Sequence, residues 1–539
     1  MTRLPRVGAR EIGYGLLVLA LIVAVAMWYA GSRLRPELIY DEGVTFVHTA
    51  YSSETLAELR EGTSSLYATW IGPESWRPLY EPGKVAPLAT FRAVARTDNH
   101  PPAYFVLLNA WRALVGPTFF RARLLNMLLG LALILCVFGL VDAALDSKIT
   151  AGVSALAVAL LPGVATSVLT VRQYVPLALL AVALAWQSVR IAQSKRVRWW
   201  AWLLLGTTAL LGFLTHLYFV LPSFAMCVWV VARLVGSDRR RAALFTAVLA
   251  GAALLSLPTS PSVFSRAAGS YSGARSADVL ALAGQIRMVR ETFAFGIWAP
   301  SEGLLATPKP VGATGIAIGT LALAFVLASF AFLVAGLVRD RRVQPRRDVP
   351  EPTALLAYGV GGFLGVFALS LAVPDLSRAL YPRYFAMAWP GLVMLVAAFG
   401  SYLPRFRWLP VLALSALLAL GVFSFLSSPL HVRPGIRYEP KRVVIDNVGR
   451  GHVARFLMAL RDSPDVYAAW RRDLVARPEP WLNRLQTGDV LVLLDEDQVD
   501  GTPRSAVLDL VRGRFALRRL TGVTIPASVY RLEPLESAP

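Results

Sequence analysis

Two adjacent carboxylates, Asp41 and Glu42, follow the first long apolar stretch of the chain in the segment LIYDEGVTF, residues 38–46. A carboxylate within hydrogen-bond reach of a hydroxyl can act as its general base and activate a poor nucleophile. Carboxylate oxygens are also ligands for divalent cations. By residue type alone, Asp41 is either a general base or a solvated carboxylate at the end of a helix. For Glu42 three roles stay open: orienting a partner, binding a metal ion, or facing water.

Residues able to bind an anion stand at several further points of the sequence. His100 either hydrogen-bonds an anion, orients Asp41, or caps the helix predicted after it, and Asp98 either caps that helix or holds His100. Arginine at the end of an apolar span either snorkels to the interface or binds an anion. The other candidates occur in three segments: Lys84, with Glu81, in YEPGKVAP (80–87), Arg172 in VRQY (171–174), and Tyr381 and Arg383 in YPRY (381–384).

The composition places these residues in a membrane protein. The chain has 539 residues, of which 56% are hydrophobic and 16% charged, and its mean hydropathy is +0.54. A soluble protein carries about a quarter charged residues. Apolar runs of roughly 18 or more residues recur, which is the length needed to cross about 30 Å of hydrocarbon. The chain is therefore predicted to cross a membrane several times.

The net charge of +20 does not indicate a nucleic-acid partner. The Lys and Arg residues cluster in short loops between apolar spans, and no basic face with interleaved aromatic residues is evident. Cys136 and Cys227 both fall inside predicted spans, so they are interpreted as small core residues rather than a disulfide. The first apolar run follows three arginines but lacks a small-residue cleavage site, so it is interpreted as a retained helix.

Eleven membrane spans are predicted, and their basic loops alternate between the two sides. Because cytoplasmic loops carry the excess of Lys and Arg, the alternation places the N-terminus inside and the C-terminal tail outside. The predicted spans are residues 13–30, 122–141, 150–170, 174–192, 200–215, 217–235, 241–258, 312–338, 353–373, 384–401 and 408–427.

The predicted domains are a membrane domain at 1–428 and a soluble extracytoplasmic α/β domain at 429–539. Within the first, a long outer loop covers 31–121 and a second covers 259–311. The first loop contains an amphipathic helix at 101–116, predicted to lie in the outer interface after His-Pro-Pro. In the tail, the patterns at 488–497 and 527–534 predict strands, and the pattern at 502–514 predicts a helix.

The order of these motifs resembles the GT-C glycosyltransferases of the protein O-mannosyltransferase and aminoarabinose transferase type. The shared order is a first span, an acidic pair, a long loop ending in DNHPP with an interfacial helix, and then RARLLNMLLG. Weaker similarity continues through VRQYVPLALL (171–180) and YPRYFAMAWPGL (381–392). The resemblance implies a mainly α, polytopic helical membrane protein of the GT-C type with a small C-terminal α/β domain. The tail itself resembles no family.

Such enzymes transfer a sugar from a polyprenyl phosphate to an acceptor outside the cytoplasm. The resemblance implies that Asp41 is the catalytic base, with Glu42 beside it. It implies donor-phosphate binding by His100, Lys84, Arg172, Arg383 and Tyr381, assisted by Asp98. The leaving lipid phosphate departs as an anion and is stabilised by cations. If the acceptor attacks directly and in line, the configuration of the anomeric centre is inverted. Expected partners are a polyprenyl-phosphate-linked sugar, an envelope glycan, lipid or protein acceptor, and the bilayer of the cytoplasmic membrane. No cofactor is required by the sequence, and a divalent metal ion stays open.

Two other classes fit parts of the sequence. A transporter or flippase of lipid-linked sugars would carry interrupted spans in two matching halves and acids at mid-membrane depth. Here the acids lie at a membrane edge, and no internal repeat stands out. A non-catalytic glycan-binding scaffold that kept the fold is the other alternative. Nothing in the sequence excludes it, although the absence of Asp41 would have favoured it.

Overall fold

The computed structural model describes residues 8–34, 40–50, 61–98, 100–259, 313–340, 351–372, 385–401, 440–446, 464–494, 502–520 and 527–535, with some single residues between these ranges. The chain divides into two compact units. A helical unit comprises residues 1–31, 98–104 and 123–429, and a sheet unit comprises residues 32–97, 105–122 and 430–539.

Helices dominate the described part of the chain. They are, in chain order, α1 (Ala9–Leu34), α2 (Tyr40–Thr49), α3 (Pro73–Trp76), α4 (Pro87–Thr97), α5 (Ala103–Val115), α6 (Phe119–Leu145), α7 (Lys148–Leu160), α8 (Pro162–Leu169), α9 (Tyr174–Gln193), α10 (Trp199–Phe213), α11 (Val220–Leu234), α12 (Arg239–Ser256), α13 (Ala313–Asp340), α14 (Pro352–Ala372), α15 (Ala388–Ser401), α16 (Arg471–Ala476), α17 (Glu479–Leu482) and α18 (Arg504–Arg512). Short 3₁₀ turns at Arg77–Leu79, Leu217–Phe219 and Leu257–Thr259 complete the set in the described ranges.

The predicted spans coincide with helices at ten of their eleven positions, from α1 to α15. The eleventh, 408–427, lies almost wholly outside the described residues. Among the described helices, five are long and apolar enough to cross a bilayer, or six if the bent pair α7 and α8 forms one span. The helix α10 and the apolar parts of α14 and α15 are shorter. A polytopic helical membrane protein is thus confirmed, whereas the number eleven is not.

The bend between α7 and α8 follows from one proline. Leu161 is extended, with φ −66° and ψ 122°, and Pro162 begins α8. Proline disfavours helical geometry in the residue before it and has no N–H for the helix ladder, so α7 cannot continue through this point. The two helices meet at 57°, and α8 leads to the turn that carries Arg172.

Close helix contacts in the helical unit depend on glycine. A Cβ atom placed on Gly391 of α15 would lie 2.9 Å from the Cα of Gly359 in α14. A Cβ atom on Gly152 of α7 would lie 2.6 Å from the carbonyl oxygen of Gly13 in α1. Small residues allow backbones to approach in this way where lipid supplies no hydrophobic drive for helix association.

A buried ion pair joins α11 to the start of α14. The Nε of Arg233 donates to the two carboxylate oxygens of Glu351 at 2.9 and 3.1 Å. Both side chains are buried. The backbone N–H of Glu351 also donates to the carbonyl of Ala144, at the end of α6. These bonds satisfy two charges that would otherwise be costly inside the helical unit.

The sheet unit contains a mixed six-stranded sheet. Its strands are β1 (Trp70–Ile71), β2 (Arg442–Ile445), β3 (Asp465–Ala468), β4 (Val490–Leu494), β5 (Ala516–Arg519) and β6 (Ala527–Glu533), in the spatial order β1-β3-β2-β4-β6-β5. The central strands β3, β2 and β4 are parallel, and the remaining pairs are antiparallel. The predicted tail strands are present as β4 and β6, and the predicted tail helix as α18.

The edge strand β1 comes from the predicted first loop rather than from the tail. Trp70 pairs with Tyr467 and Ile71 with Val466 of β3. The first loop and the tail therefore fold as one unit, which differs from the predicted domains at 1–428 and 429–539. The chain still passes from one unit to the other between residues 429 and 430. Most of the loop at 31–121, however, belongs to the same unit as the tail.

Successive side chains along a strand point to opposite faces of the sheet, and both faces of this sheet are buried. One face consists of residues such as Val443, Val466 and Val490, and loop residues including Val47 of α2 and Trp76 pack against it. The other face consists of residues such as Val444 and Leu491, and tail helices supply Leu474, Trp481 and Val507. Since loop residues cover the first face, burial of apolar area explains why the loop and the tail fold together.

Candidate functional site

The acidic pair lies in the first turn of α2, a helix that the sequence pattern did not predict. Carboxylates near a helix N-terminus are stabilised by the helix dipole. Glu42 is only 1% exposed, so the alternative that its side chain faces water is wrong. The backbone of Asp41 belongs to α2, while its side chain lies outside the described residues.

The C-terminal end of α2 is fixed by two buried polar residues of α5. The Asn109 amide donates to the Thr49 carbonyl at 2.7 Å and accepts from the Ala86 backbone N–H at 2.9 Å. The Arg112 guanidinium donates to Thr49 Oγ1, to the carbonyl of Phe46, and to the carbonyls of Tyr80 and Pro117. Both side chains are 0% exposed. These residues, which interrupt the apolar pattern at 101–116, therefore brace the acid-bearing helix.

The helix predicted at 101–116 is observed as α5, from Ala103 to Val115. Apart from the buried stripe that contains Asn109 and Arg112, it exposes Leu107 and Leu114, which are 46% and 77% accessible. An apolar outer side of this kind suits a helix in a membrane interface. Its location in the outer interface remains a prediction.

Lys84 and Glu81 lie in the loop that precedes α4. Both side chains are exposed. The loop is attached to α5 through the hydrogen bond between Ala86 and Asn109. Lys84, Glu81, Asp41 and Glu42 all belong to the sheet unit.

Asp98 and His100 form a close pair in the helical unit. The Asp98 Oδ1 atom accepts from the His100 backbone N–H at 2.9 Å and lies 2.6 Å from His100 Nδ1. An aspartate that bonds the backbone two residues on closes a local turn. Pro101 and Pro102 then lead into α5, where the N–H of Ala103 donates to the Leu214 carbonyl. Asp98 thus holds His100 and orients its imidazole.

His216, which lies between α10 and the 3₁₀ turn at Leu217–Phe219, joins this pair. Its ring centroid is 5.5 Å from that of His100 and 6.5 Å from that of Tyr174. Its Nδ1 accepts from the Tyr218 backbone N–H at 3.1 Å, which assigns the proton of the neutral ring to Nε2. Burial lowers the pKa of His216 well below its usual value, and the charges of His100 and Arg172 lower it further.

Arg172 lies in the turn between α8 and α9 and is 4% exposed. Asn126 of α6 fixes this turn by donating to the carbonyls of Thr170 and Arg172, at 2.5 and 3.4 Å. The Asn126 side-chain oxygen in turn accepts from the Tyr104 hydroxyl at 3.0 Å. Tyr104 belongs to α5, two residues after Pro102, so Asn126 connects the turn of Arg172 with the start of α5.

The structure therefore gathers three of the predicted residues into one polar group of the helical unit. This group, the histidine cluster, consists of Asp98, His100, His216 and Arg172. The sequence favoured a core or interfacial role for His216 over one in the predicted site, and it gave Asn126 no role. The available signal was a polar residue inside an apolar run, as in RLLNMLLG. Tyr381 and Arg383 lie outside the described residues.

A metal site is not assembled in the described part of the chain. No group of three or more His, Cys, Asp and Glu residues there is arranged to hold a metal ion. Glu42 provides oxygen ligands, but the described residues do not supply two more such side chains beside it.

A family model described as dolichyl-phosphate-mannose-protein mannosyltransferase matches residues 99–264. The matched segment contains His100, Arg172 and His216, together with Asn126. The resemblance to protein O-mannosyltransferases is thereby confirmed over that segment. No curated protein sequence matches the chain.

Several solved structures align with the chain at low sequence identity and low TM-score. The oligosaccharyltransferase of Archaeoglobus fulgidus, in complex with Zn and sulfate, is 14% identical, with a TM-score of 0.41. That match covers 77% of this chain and 53% of the archaeal one, so the chain spans about half of that protein's length. ArnT from Cupriavidus metallidurans bound to undecaprenyl phosphate is 15% identical, with a TM-score of 0.40, covering 96% of this chain and 98% of ArnT. The mycobacterial arabinofuranosyltransferase AftD is 14% identical, with a TM-score of 0.38, covering 98% of this chain and 42% of AftD.

Proposed function

We propose that this chain is a GT-C glycosyltransferase, which its family match at residues 99–264 supports, and that it transfers a sugar from a polyprenyl-phosphate donor to a cell-envelope acceptor. The donor class follows the description of the matched family. The acceptor is a glycan, lipid or protein outside the cytoplasm. The observation that carries the proposal is the histidine cluster, because its side chains suit a phosphate leaving group.

Three groups of this cluster have complementary chemistry. Arg172 provides a permanent positive charge on a planar fork of donors, which matches phosphate oxygens. Neutral His216 presents Nε2–H as a further donor. Asp98, bonded to His100 Nδ1, fixes that ring so that Nε2 is the nitrogen left for a ligand. In a site with little water, such preset donors stabilise charge that develops as the phosphate leaves.

The proposed transfer is a direct displacement. The acceptor hydroxyl gives its proton to the Asp41 carboxylate, and its oxygen forms a bond to the anomeric carbon of the sugar. The bond from that carbon to the phosphate oxygen breaks, and its electron pair leaves on the polyprenyl phosphate. One displacement inverts the anomeric configuration. Unlike glycoside hydrolysis with its acid and base pair, this reaction needs one base and a stabilised anion.

The other donor-binding candidates fit the same role. Lys84 and Arg383 add positive charge for a lipid phosphate, and Tyr381 adds a hydroxyl donor. Glu42, buried next to Asp41 in sequence, orients the acceptor or a neighbouring group. A divalent metal ion, if one is bound, would find oxygen ligands at Asp41 and Glu42. The chemistry it would supply is charge neutralisation at the donor phosphate.

The proposed location is the outer face of the bacterial cytoplasmic membrane, with the N-terminus inside. Support comes from the alternation of basic loops in the sequence. A phosphatase fused after Pro539 should be active in whole cells, whereas a reporter that functions only in the cytoplasm should be silent there. The reverse pattern would contradict the orientation and the proposed site of transfer.

Mass spectrometry of a deletion strain tests the activity. Loss of the enzyme should leave one sugar missing from an envelope glycan, lipid or protein, and should accumulate a polyprenyl-phosphate-linked sugar. The purified chain in nanodiscs should then transfer that sugar to the deficient acceptor and release polyprenyl phosphate. Movement of the intact lipid-linked sugar across the bilayer without its cleavage would instead indicate a flippase. Binding of the glycan without transfer would indicate a scaffold.

A further inference from the structure

Gln173 is a buried residue whose side chain has unused hydrogen-bonding capacity. It precedes α9 and is 0% exposed. Its carbonyl accepts from the Leu177 backbone N–H at 3.1 Å and so begins the helix. Neither Oε1 nor Nε2 of its side chain has a hydrogen-bond partner within the part of the chain that the structure describes.

The two glutamines of α9 each form one side-chain hydrogen bond, although Gln187 Oε1 also lacks a partner among the described residues. Gln187 Nε2 donates to Thr208 Oγ1 at 2.9 Å, and Gln193 Nε2 donates to the Ala143 carbonyl at 2.9 Å. A buried amide that lacks a partner destabilises a protein relative to an apolar side chain of similar size. Polar residues buried among membrane helices are costly and typically functional. The position of Gln173 therefore indicates a partner outside the described residues, and a bound ligand is one that would use both atoms of the amide.

Gln173 stands between two residues of the helical unit's polar region. Arg172 precedes it, and the Asn126 amide fixes the backbone at that point. Tyr174 follows it, with its ring 6.5 Å from that of His216. A ligand bound by the histidine cluster would therefore meet the start of α9 close to Gln173.

The chemistry of the amide discriminates between two parts of the proposed donor. A phosphate group only accepts hydrogen bonds, so it would satisfy Nε2 and leave Oε1 without a donor. A sugar hydroxyl both donates and accepts, and two neighbouring hydroxyls can satisfy both atoms of one amide. Since both atoms of Gln173 lack partners, a hydroxylated ring fits the side chain better than a phosphate does.

We propose that Gln173 is a sugar-recognition residue, whose amide binds hydroxyl groups of the sugar carried by the polyprenyl-phosphate donor. This inference rests on the proposed function. It assigns Gln173 to specificity for the transferred sugar and leaves the phosphate to Arg172 and the histidines.

The test compares lipids that differ only in the sugar. Purified wild-type protein in nanodiscs is titrated with undecaprenyl phosphate and with undecaprenyl-phosphate-linked mannose, glucose and arabinose, and binding is measured by native mass spectrometry. Wild type should bind at least one sugar-linked form more tightly than undecaprenyl phosphate. Gln173→Met should lose about tenfold or more in affinity for that form, as expected for one to two hydrogen bonds, and bind undecaprenyl phosphate like wild type.

Stability provides an independent readout in the same variant. Methionine has a similar length and no amide, so Gln173→Met should melt at the same temperature as wild type or higher. The matched control is Gln193→Met on the same helix. It removes the hydrogen bond to Ala143, so it should lower the melting temperature and leave the lipid affinities unchanged.

The outcomes separate the two proposals. If wild type binds none of the lipids, the proposed function fails and the inference with it. The inference is wrong if wild type binds the sugar-linked lipids no more tightly than undecaprenyl phosphate. It is also wrong if Gln173→Met binds the sugar-linked form as tightly as wild type does. In both cases the proposed function stands. A large fall in the melting temperature of Gln173→Met would also overturn it, since the amide would then have a structural partner.

Discussion

The guanidinium carbon of Arg112 lies 3.9 Å from the ring centroid of Phe46. This contact joins α5 to the helix that carries Asp41 and Glu42. The same guanidinium donates to the carbonyl of Phe46 and to the hydroxyl of Thr49, near the C-terminal end of α2. A positive charge at a helix C-terminus is favourable, and the stacking on the Phe46 ring adds a cation–π interaction. Arg112 thereby sets the position of the acidic helix within the sheet unit.

Arg112→Lys should destabilise the protein by about 2 kcal/mol or more, because lysine cannot reach acceptors on three segments with one planar fork. Thermal unfolding in detergent, followed by tryptophan fluorescence, measures the loss. Arg121→Lys is the matched control, since the Arg121 side chain is exposed and the change should stay within about 0.5 kcal/mol. An Arg112→Lys protein that melts with wild type would show that the hydrogen bonds of Arg112 add little.

Asp41→Asn should lower turnover by about 10²–10⁴-fold, the usual contribution of general-base catalysis. Asparagine keeps the shape of the side chain but cannot take the proton of the acceptor. Donor affinity should change little, because the base acts on the acceptor, and Glu42→Gln should have a smaller effect on turnover. Single-turnover kinetics with the donor identified by mass spectrometry would measure both. Turnover within about threefold of wild type in a folded Asp41→Asn protein would remove Asp41 from catalysis.

Arg383→Ala should weaken donor binding or slow transfer, because a lipid phosphate needs a cation at the outer membrane edge. Arg383→Lys should restore only part of the loss, since lysine cannot form a bidentate bond to phosphate. Titration with undecaprenyl phosphate, together with kcat, separates the two effects. If both variants bind and turn over like wild type, Arg383 is a snorkelling residue.

His216 should make the stability of the protein depend on pH below neutrality. Its usual pKa is 6.5, and burial, reinforced by the charges of His100 and Arg172, lowers the pKa in the folded state. The unfolded chain therefore takes up a proton as the pH falls through 6.5, while the folded chain does not. Stability that is present above pH 6.5 is lost progressively as the pH falls toward the folded pKa.

His216→Asn tests this dependence, because asparagine does not titrate and its oxygen can still accept from the Tyr218 N–H. Melting temperatures between about pH 8 and pH 5 should fall less steeply for His216→Asn than for wild type. If the melting temperatures of wild type and His216→Asn fall equally with pH, His216 is protonated to the same extent in the folded and the unfolded protein.

The sequence alone determined the helical membrane class. Ten predicted spans coincide with helices, because the length and composition of an apolar run are enough to identify it as a membrane span. The tail elements β4, α18 and β6 were also predictable, since their local alternation and turn residues specify strand or helix directly. The sequence left two roles open for Asp98, capping the following helix or holding His100, and the structure shows the second.

Only the tertiary structure decided how the first loop and the tail combine. The pairing of Trp70 with Tyr467 joins residues almost 400 positions apart, and no local pattern encodes a contact over that distance. The same holds for Arg112 and Asn109, whose burial and bonds to α2 are not encoded by the local pattern of α5. His216 and Gln173 likewise acquire meaning from their surroundings. A polar side chain has the same sequence signature whether water, protein or a ligand satisfies it, and the difference is fixed by which groups the fold brings within hydrogen-bond distance.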